Sequence, residues 1–275
     1  MKITNQIKPF FVYLIIIAFG FTSCEKVIEI DLNSSNPILV ADGRMDLDSL
    51  AWIKLTYSRD YFNQEEAKYI EDAKVSIQHS KGEIEELQYQ GNGVYQGIAM
   101  KGTANERYTL NIESKSNIYT AISELFGPTE IIDVSFEESM FSNPHDDKIE
   151  YAPVIKFLDD PSIKNYYMLK IWINDTLVNS TYTTIEDKYF NSNDTITYSP
   201  FGYRLDLNDQ LIVRVYSIDK ETERYYNQLN DNQDGGGMSG TPYNPKSNFG
   251  HEVMGYFTAT SYDEYETQVI IEEKN

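Results

Sequence analysis

Lys74-Val75-Ser76-Ile77-Gln78-His79-Ser80-Lys81-Gly82 decides how the rest of the chain is read. Val75 and Ile77 alternate with Lys74, Ser76 and Gln78, so a strand puts two aliphatic side chains on one face and the polar ones on the other. Ser80-Lys81-Gly82 then breaks the pattern with turn-forming residues. Similar short runs appear on both sides, at 38–42, 52–58, 84–89, 93–97, 108–113 and 118–125, with Gly91-Asn92-Gly93 as a second strong turn.

Seven short strands over roughly 90 residues predict a Greek-key β-sandwich similar to immunoglobulin or transthyretin modules. Residues 37–126 are therefore expected to form an N-terminal sandwich domain. Gly127-Pro128 marks the expected boundary to a second β-rich domain, 127–275, with strand runs at 131–136, 152–158, 166–173, 177–184, 211–218, 253–260 and 267–271. One helix is predicted near 219–231. Asp219 stands at its N-cap, Glu221 and Glu223 place negative charge in the first turn, and Tyr225, Tyr226 and Leu229 form its apolar stripe. The expected fold class is all-β: two β-sandwich-like domains, the second carrying one helix. The halves show no internal repeat of solenoid length.

A loop rich in Gly and Pro follows the helix, from Asp234-Gly235-Gly236-Gly237 through Thr241-Pro242-Tyr243-Asn244-Pro245 to Asn248-Phe249-Gly250. Segments of this kind are often binding elements or simply surface loops. Tyr243, Asn244 and Phe249 are the candidate ligand or partner contacts, with the two rings expected at the surface.

The N-terminus carries a different signal. Lys2 and Lys8 precede an uncharged apolar run, 9–21, and then come Thr22, Ser23 and the sole cysteine, Cys24. A basic start, an apolar segment short for a mature span and small residues before a cut make a signal peptide of 1–23. Phe21-Thr22-Ser23-Cys24 resembles the bacterial lipobox, with Phe where Leu is usual. That resemblance implies lipid on the Cys24 sulfur, a tether at 24–36, and anchoring of a body that does not span the bilayer. An ordinary secretory peptide and an N-terminal membrane helix are the alternatives. Glu25, where an Asp would resemble an inner-membrane retention signal, points to the outer membrane. Glu29 and Asp31 extend the acidity in a pattern similar to the surface-export signal of Bacteroidota lipoproteins, interrupted by 26–28, so both faces of that membrane stay open.

The chain has 23 basic and 43 acidic residues, and removing the two lysines of 1–23 takes the net charge from −20 to −22. Nucleic acid is a poor partner for such a surface, because its binding depends on phosphate neutralisation by Lys and Arg. With its one cysteine committed to lipid, the mature chain has no disulfide, and stability must come from packing. The 22 Tyr and 13 Phe suit pleated strand faces.

Catalytic signatures are sparse. Gly237-Met238-Ser239-Gly240 lacks the spacing of a nucleophile elbow, and His79, His145 and His251 are scattered. His145-Asp146-Asp147 reads as an acidic turn. Residues 230–235 echo a calcium loop, but Thr241 stands where a bidentate Glu is required. Asp159-Asp160 and Asp146-Asp147 are adjacent acids, whereas glycosidases need two acids across a cleft. No catalytic residue, metal site or cofactor is expected. Asp48-Ser49-Leu50, Asp175-Thr176-Leu177 and Asp194-Thr195-Ile196 resemble the Bacteroidota O-glycosylation pattern, which makes Ser49, Thr176 and Thr195 candidate acceptors.

Several segments taken in order carry a wider resemblance: 24–32, the 38–43 strand, Ala73-Lys74-Val75-Ser76-Ile77, Tyr225-Tyr226-Asn227-Gln228-Leu229, the 242–248 loop and Gly255-Tyr256-Phe257-Thr258-Ala259. Together they resemble the domain of unknown function 4249 family of Bacteroidota lipoproteins. The resemblance implies partnership with a TonB-dependent transporter and supplies no catalytic residues. The function expected is a lipid-anchored outer-membrane binding or accessory protein working with such a transporter in nutrient uptake. A glycan or peptide hydrolase of the envelope and a structural or adhesive surface protein are the alternatives.

Overall fold

The computed structural model describes residues 37–59, 66–142, 149–178, 182–190, 194–233 and 243–270, and everything below refers to these. They are mostly strand. β1 (Leu39–Asp46), β2 (Leu50–Tyr57), β3 (Lys74–His79), β4 (Ile84–Glu86), β5 (Gln88–Gly91), β6 (Val94–Lys101), β7 (Glu106–Ser114) and β8 (Asn117–Leu125) come first. Then follow β9 (Ile131–Glu138), β10 (Tyr151–Leu158), β11 (Tyr166–Ile173), β12 (Thr176–Leu177), β13 (Thr183–Glu186), β14 (Thr195–Tyr198), β15 (Gln210–Ile218), helix α1 (Lys220–Gln233) and β16 (Val253–Gln268).

One nine-stranded sheet forms the spine, in the order β12-β11-β15-β16-β1-β2-β6-β5, with β13 also paired to β11. The alternation of the strands gives it two unlike faces. On one face, Leu39, Ala41, Met45, Ala51, Ile53, Leu55, Phe257 and Ala259 pack against the four-stranded sheet β4-β3-β7-β8, through Val75, Ile77, Tyr108, Leu110 and Ile112. Further along, Tyr167, Leu169, Ile171, Leu211, Val213 and Val215 pack against the three-stranded sheet β14-β10-β9, through Ile131, Val134, Ile155, Phe157 and Ile196. The opposite face bears α1, over a small cluster of Tyr166, Met168 and Ile218 joined by Tyr182, Tyr216 and Tyr226.

The all-β, sandwich-like expectation holds, and its boundary changes meaning. Residues up to Leu125 build the first core and the second begins at Ile131, but Phe249, Val253, Phe257 and Ala259 return to the first, and residues from Pro37 onward form one compact unit, so 37–126 and 127–275 are not separate segments. The cause is β16. Its first half runs parallel to β1, from Leu39↔Val253 to Asp46↔Thr260, and its second half runs antiparallel to β15, from Ser217↔Ser261 to Gln210↔Gln268. The sequence pattern divided this strand into 253–260 and 267–271, because Asp263, Glu264 and Glu266 interrupt the apolar spacing. Asp263 accepts the Ile131 amide at 2.8 Å, and Glu264 pairs with Arg214.

Other differences have equally local causes. The run at 84–89 is two strands, β4 and β5, that leave Leu87 and enter different sheets. Glu85 ties those sheets together, accepting the amides of Ile98, Ala99 and Met100 at 2.6–2.8 Å. The run at 177–184 is also two elements, β12 and β13, and β14 was not anticipated. The helix runs two residues beyond 231. Its cap is as expected: Asp219 accepts the Thr222 amide at 2.6 Å. The same carboxylate takes the Ser123 hydroxyl at 2.6 Å and the Glu124 amide at 3.2 Å, which fastens the helix start to β8.

Two substitutions test this frame. Gly255 has φ +86, and a Cβ there would lie 2.1 Å from the Ala41 carbonyl oxygen, so Gly255→Ala breaks the β1–β16 register. A loss of at least about 2 kcal/mol is expected in urea unfolding. Asp219→Ala removes a cap and two cross-element bonds and is expected to cost about 2 kcal/mol by the same measurement.

Candidate functional site

The outward positions of the nine-stranded sheet place charges and large rings side by side. Register sets the neighbours: Arg44 is opposite Trp52 on β2 and Thr258 on β16, Lys170 is opposite Arg214, Arg214 is opposite Glu264, and Tyr216 is opposite Tyr262. The Arg44 guanidinium lies 4.8 Å from the Trp52 ring centre, and the Lys170 ammonium 4.9 Å from that of Tyr216. Arg214 sits between two rings, 4.7 Å from Trp172 and 4.7 Å from Tyr262. Tyr216 and Tyr262 are themselves 5.0 Å apart. Cations over ring faces are favourable, and more so where water is partly excluded.

Close ion pairing on this face is uneven. Arg214 has Glu264 as its partner, whereas among the described residues neither Arg44 nor Lys170 has a carboxylate at ion-pair distance. Asp46 is engaged instead with the Thr260 hydroxyl at 2.7 Å. Burial holds the Lys170 pKa below the usual lysine value; Asp46 opposes this, and the positive charges of Arg214 and Arg44 reinforce it. α1 covers the sheet beside this patch, with Tyr225 stacked on Tyr256 at 4.5 Å and Tyr226 against Tyr182 at 4.4 Å. Trp52, Trp172, Lys170 and Arg214 stay half-buried, and Arg44 and Tyr262 are exposed.

A separate groove of about 460 Å³ opens where the two halves meet, lined by Phe126, Gly127, Pro128, Leu158 and Ile163 with the polar groups of 159–167. Of its three acids, Glu130, Asp159 and Asp160, the two aspartates are engaged locally. Asp159 accepts the Tyr167 hydroxyl at 2.7 Å and the Asn165 amide group at 3.1 Å, while Asp160 accepts the Ser162 amide and hydroxyl at 2.9 and 2.5 Å. Burial and the Asp159 hydrogen bond push the Tyr167 pKa up. Behind the groove, Glu186 is 9 % exposed and held between Lys164 and Lys188.

The loop residues singled out from sequence fare differently from one another. Phe249 is not at the surface: it is 8 % exposed and belongs to the first core. The reason is Asn248, whose side chain bonds both the amide and the carbonyl of Phe257, at 3.0 and 2.7 Å, and draws the next ring inward. Tyr243 and Asn244 are exposed. The Tyr243 backbone is clamped by the Asn232 side chain in both directions, at 2.6 and 3.1 Å. Residues 234–242 lie outside the described residues, as do Cys24 with the signal and tether, and His145-Asp146-Asp147. Ser49 and Thr176 sit in exposed positions beside tight turns, and Thr195 is half-buried at the start of β14. Among the described residues no group of three or more His, Asp or Glu is placed to hold a metal ion.

The cation and aromatic face was missed from the sequence, although a signal existed. Lys170 interrupts the near-continuous apolar run of β11, and Arg214 that of β15, at positions that alternation assigns to the face opposite the core. Nothing local says that these two and Arg44 share one surface.

No curated protein gives a significant sequence match. Among solved structures, the crystal structure of the chicken CNTN1 FN1–FN3 domains matches at 11 % identity with a TM-score of 0.22, over 68 % of this chain and 62 % of that one. The family described as Domain of unknown function (DUF4249) matches residues 25–266, so the chain belongs to the domain of unknown function 4249 family.

Proposed function

We propose that this chain is a non-catalytic binding or accessory lipoprotein, held at the outer membrane through lipid on Cys24 and working with a TonB-dependent transporter in uptake. The observation that carries the binding role is the open sheet face on which Arg44, Lys170 and Arg214 alternate with Trp52, Tyr216, Tyr262 and Trp172. Arg44 and Lys170 have no carboxylate at ion-pair distance among the described residues, and together with the half-buried rings they leave interaction capacity for a ligand on a rigid strand scaffold that holds them in register. The groove between the halves supports binding over hydrolysis, because Asp159 and Asp160 are engaged in shaping their own loop and not in facing each other across a cleft.

The anchor reading rests on Lys2, Lys8, the apolar 9–21 run and the lipobox-like 21–24. Among the described residues no helix is long and apolar enough to cross a membrane. Two acyl chains or more make release slow, so a single modified cysteine suffices to hold a body of this size.

A pull-down through a C-terminal tag from detergent-solubilised outer membrane, followed by mass spectrometry, is expected to recover a TonB-dependent transporter in near-stoichiometric amount. Cys24→Ser is expected to leave the precursor uncleaved and to move it from the outer-membrane to the inner-membrane fraction, where its apolar 9–21 segment holds it. Recovery of the tagged protein without a transporter overturns the partnership, and unchanged fractionation of the Cys24→Ser chain overturns the anchor.

A further inference from the structure

The face beside α1 is specific enough in its chemistry to name a ligand class. Neighbouring strands are about 4.8 Å apart, so Lys170 and Arg214 stand one spacing from each other; Arg44 faces Thr258, six residues along β16 from the Glu264 that faces Arg214, and is offset along the strands as well as across them, yet its charge still acts on Lys170. The surface is pleated and open and not a closed pocket, which suits an extended ligand lying across the strands. Trp52, Trp172 and Tyr262 offer flat apolar surface between the cations.

Resting on the binding role proposed above, we infer that this face binds a carboxylate-bearing glycan, with Arg44 and Lys170 meeting its carboxylates and Trp52, Trp172 and Tyr262 meeting its ring faces. A guanidinium matches a carboxylate in a two-bonded fork, and an aromatic ring matches the C–H face of a sugar. A polymer of uronic acid residues repeats a carboxylate and a ring along its length, so an extended chain can meet cations set apart both along and across the strands. The acids on the same surface narrow the class further. Asp42, Asp46, Glu264 and Glu266 lie on outward positions of β1 and β16, within a chain of net charge −20. That field disfavours polyphosphate, which has no ring to offer, and nucleic acid, whose binding depends on neutralising closely spaced phosphates. It tolerates a ligand of one charge per ring. Lys170 also gains from such a partner: Asp46 offsets its burial only in part, and a bound carboxylate would favour its charged form further.

The experiment uses the full-length protein purified in detergent, with polygalacturonate as the probe in affinity electrophoresis and calorimetry. Dextran serves as the neutral control and polyphosphate as the charge-only control. Saturable binding of polygalacturonate, weakened by added salt, is expected, with no retention by dextran and far weaker retention by polyphosphate. Lys170→Gln and Arg44→Gln are each expected to lower affinity at least tenfold, while Lys170→Arg retains most of it. Trp172→Ala is expected to weaken the polymer without changing the response to polyphosphate, and circular dichroism confirms that each variant is folded. The inference is overturned by absent polygalacturonate binding, by equal binding of polyphosphate, or by affinity that survives both Gln substitutions. Failure here with the transporter still co-purifying removes only the ligand assignment; polymer binding without a transporter removes only the partnership.

Discussion

The parallel pairing of β1 with β16 holds this molecule together as one body. It joins the first described strand to the last, and the Thr260 hydroxyl reaches Asp46 across 214 positions of sequence. Because β16 continues past that contact to pair with β15, the two apolar cores share a strand and neither half has its full sheet without the other. A glycine with positive φ at 255 allows the close approach to Ala41 on which the register depends. So distant a pairing closes late and slowly during folding, since the entropy of bringing the ends together precedes any reward from contact.

The shared sheet also explains where function can reside. One face is consumed by the two smaller sheets, each filling a core with aliphatic and aromatic side chains. The other is only partly covered, by a helix whose Asp219 cap is fastened to β8. What remains open is a strip in which cations and rings are interleaved, and its rigidity follows from the register beneath it. In an acidic protein, Arg44 and Lys170, held on this face with no ion-pair partner among the described residues, are more informative than the overall balance, which mainly serves solubility.

Much of the fold was legible in the residues. Val75 and Ile77 marked β3, Leu211, Val213 and Val215 marked the core face of β15, and Asp219 marked the helix start. The failures cluster where a neighbour overrides the local pattern. Leu87 ends one strand and lets the chain change sheets, Asp263 and Glu264 sit within a strand because Ile131 and Arg214 engage them, and Phe249 turns inward because Asn248 bonds the Phe257 backbone. The candidate site was less legible than the fold. Tyr243 and Asn244 are exposed as the loop composition suggested, but the face formed by Arg44, Lys170 and Arg214 left only scattered polar interruptions in apolar runs.

Alternation, turn residues and capping are properties of short stretches of backbone, so the residues alone settle that this chain is built of strands with one late helix, and they carry the pattern of a lipid-anchor signal. Which edges meet is a matter of pairing between segments far apart, decided by how the cores fill and by close approaches such as Gly255 on Ala41. That pairing turned two expected domains into one continuous sheet and brought three separated cations onto a single surface.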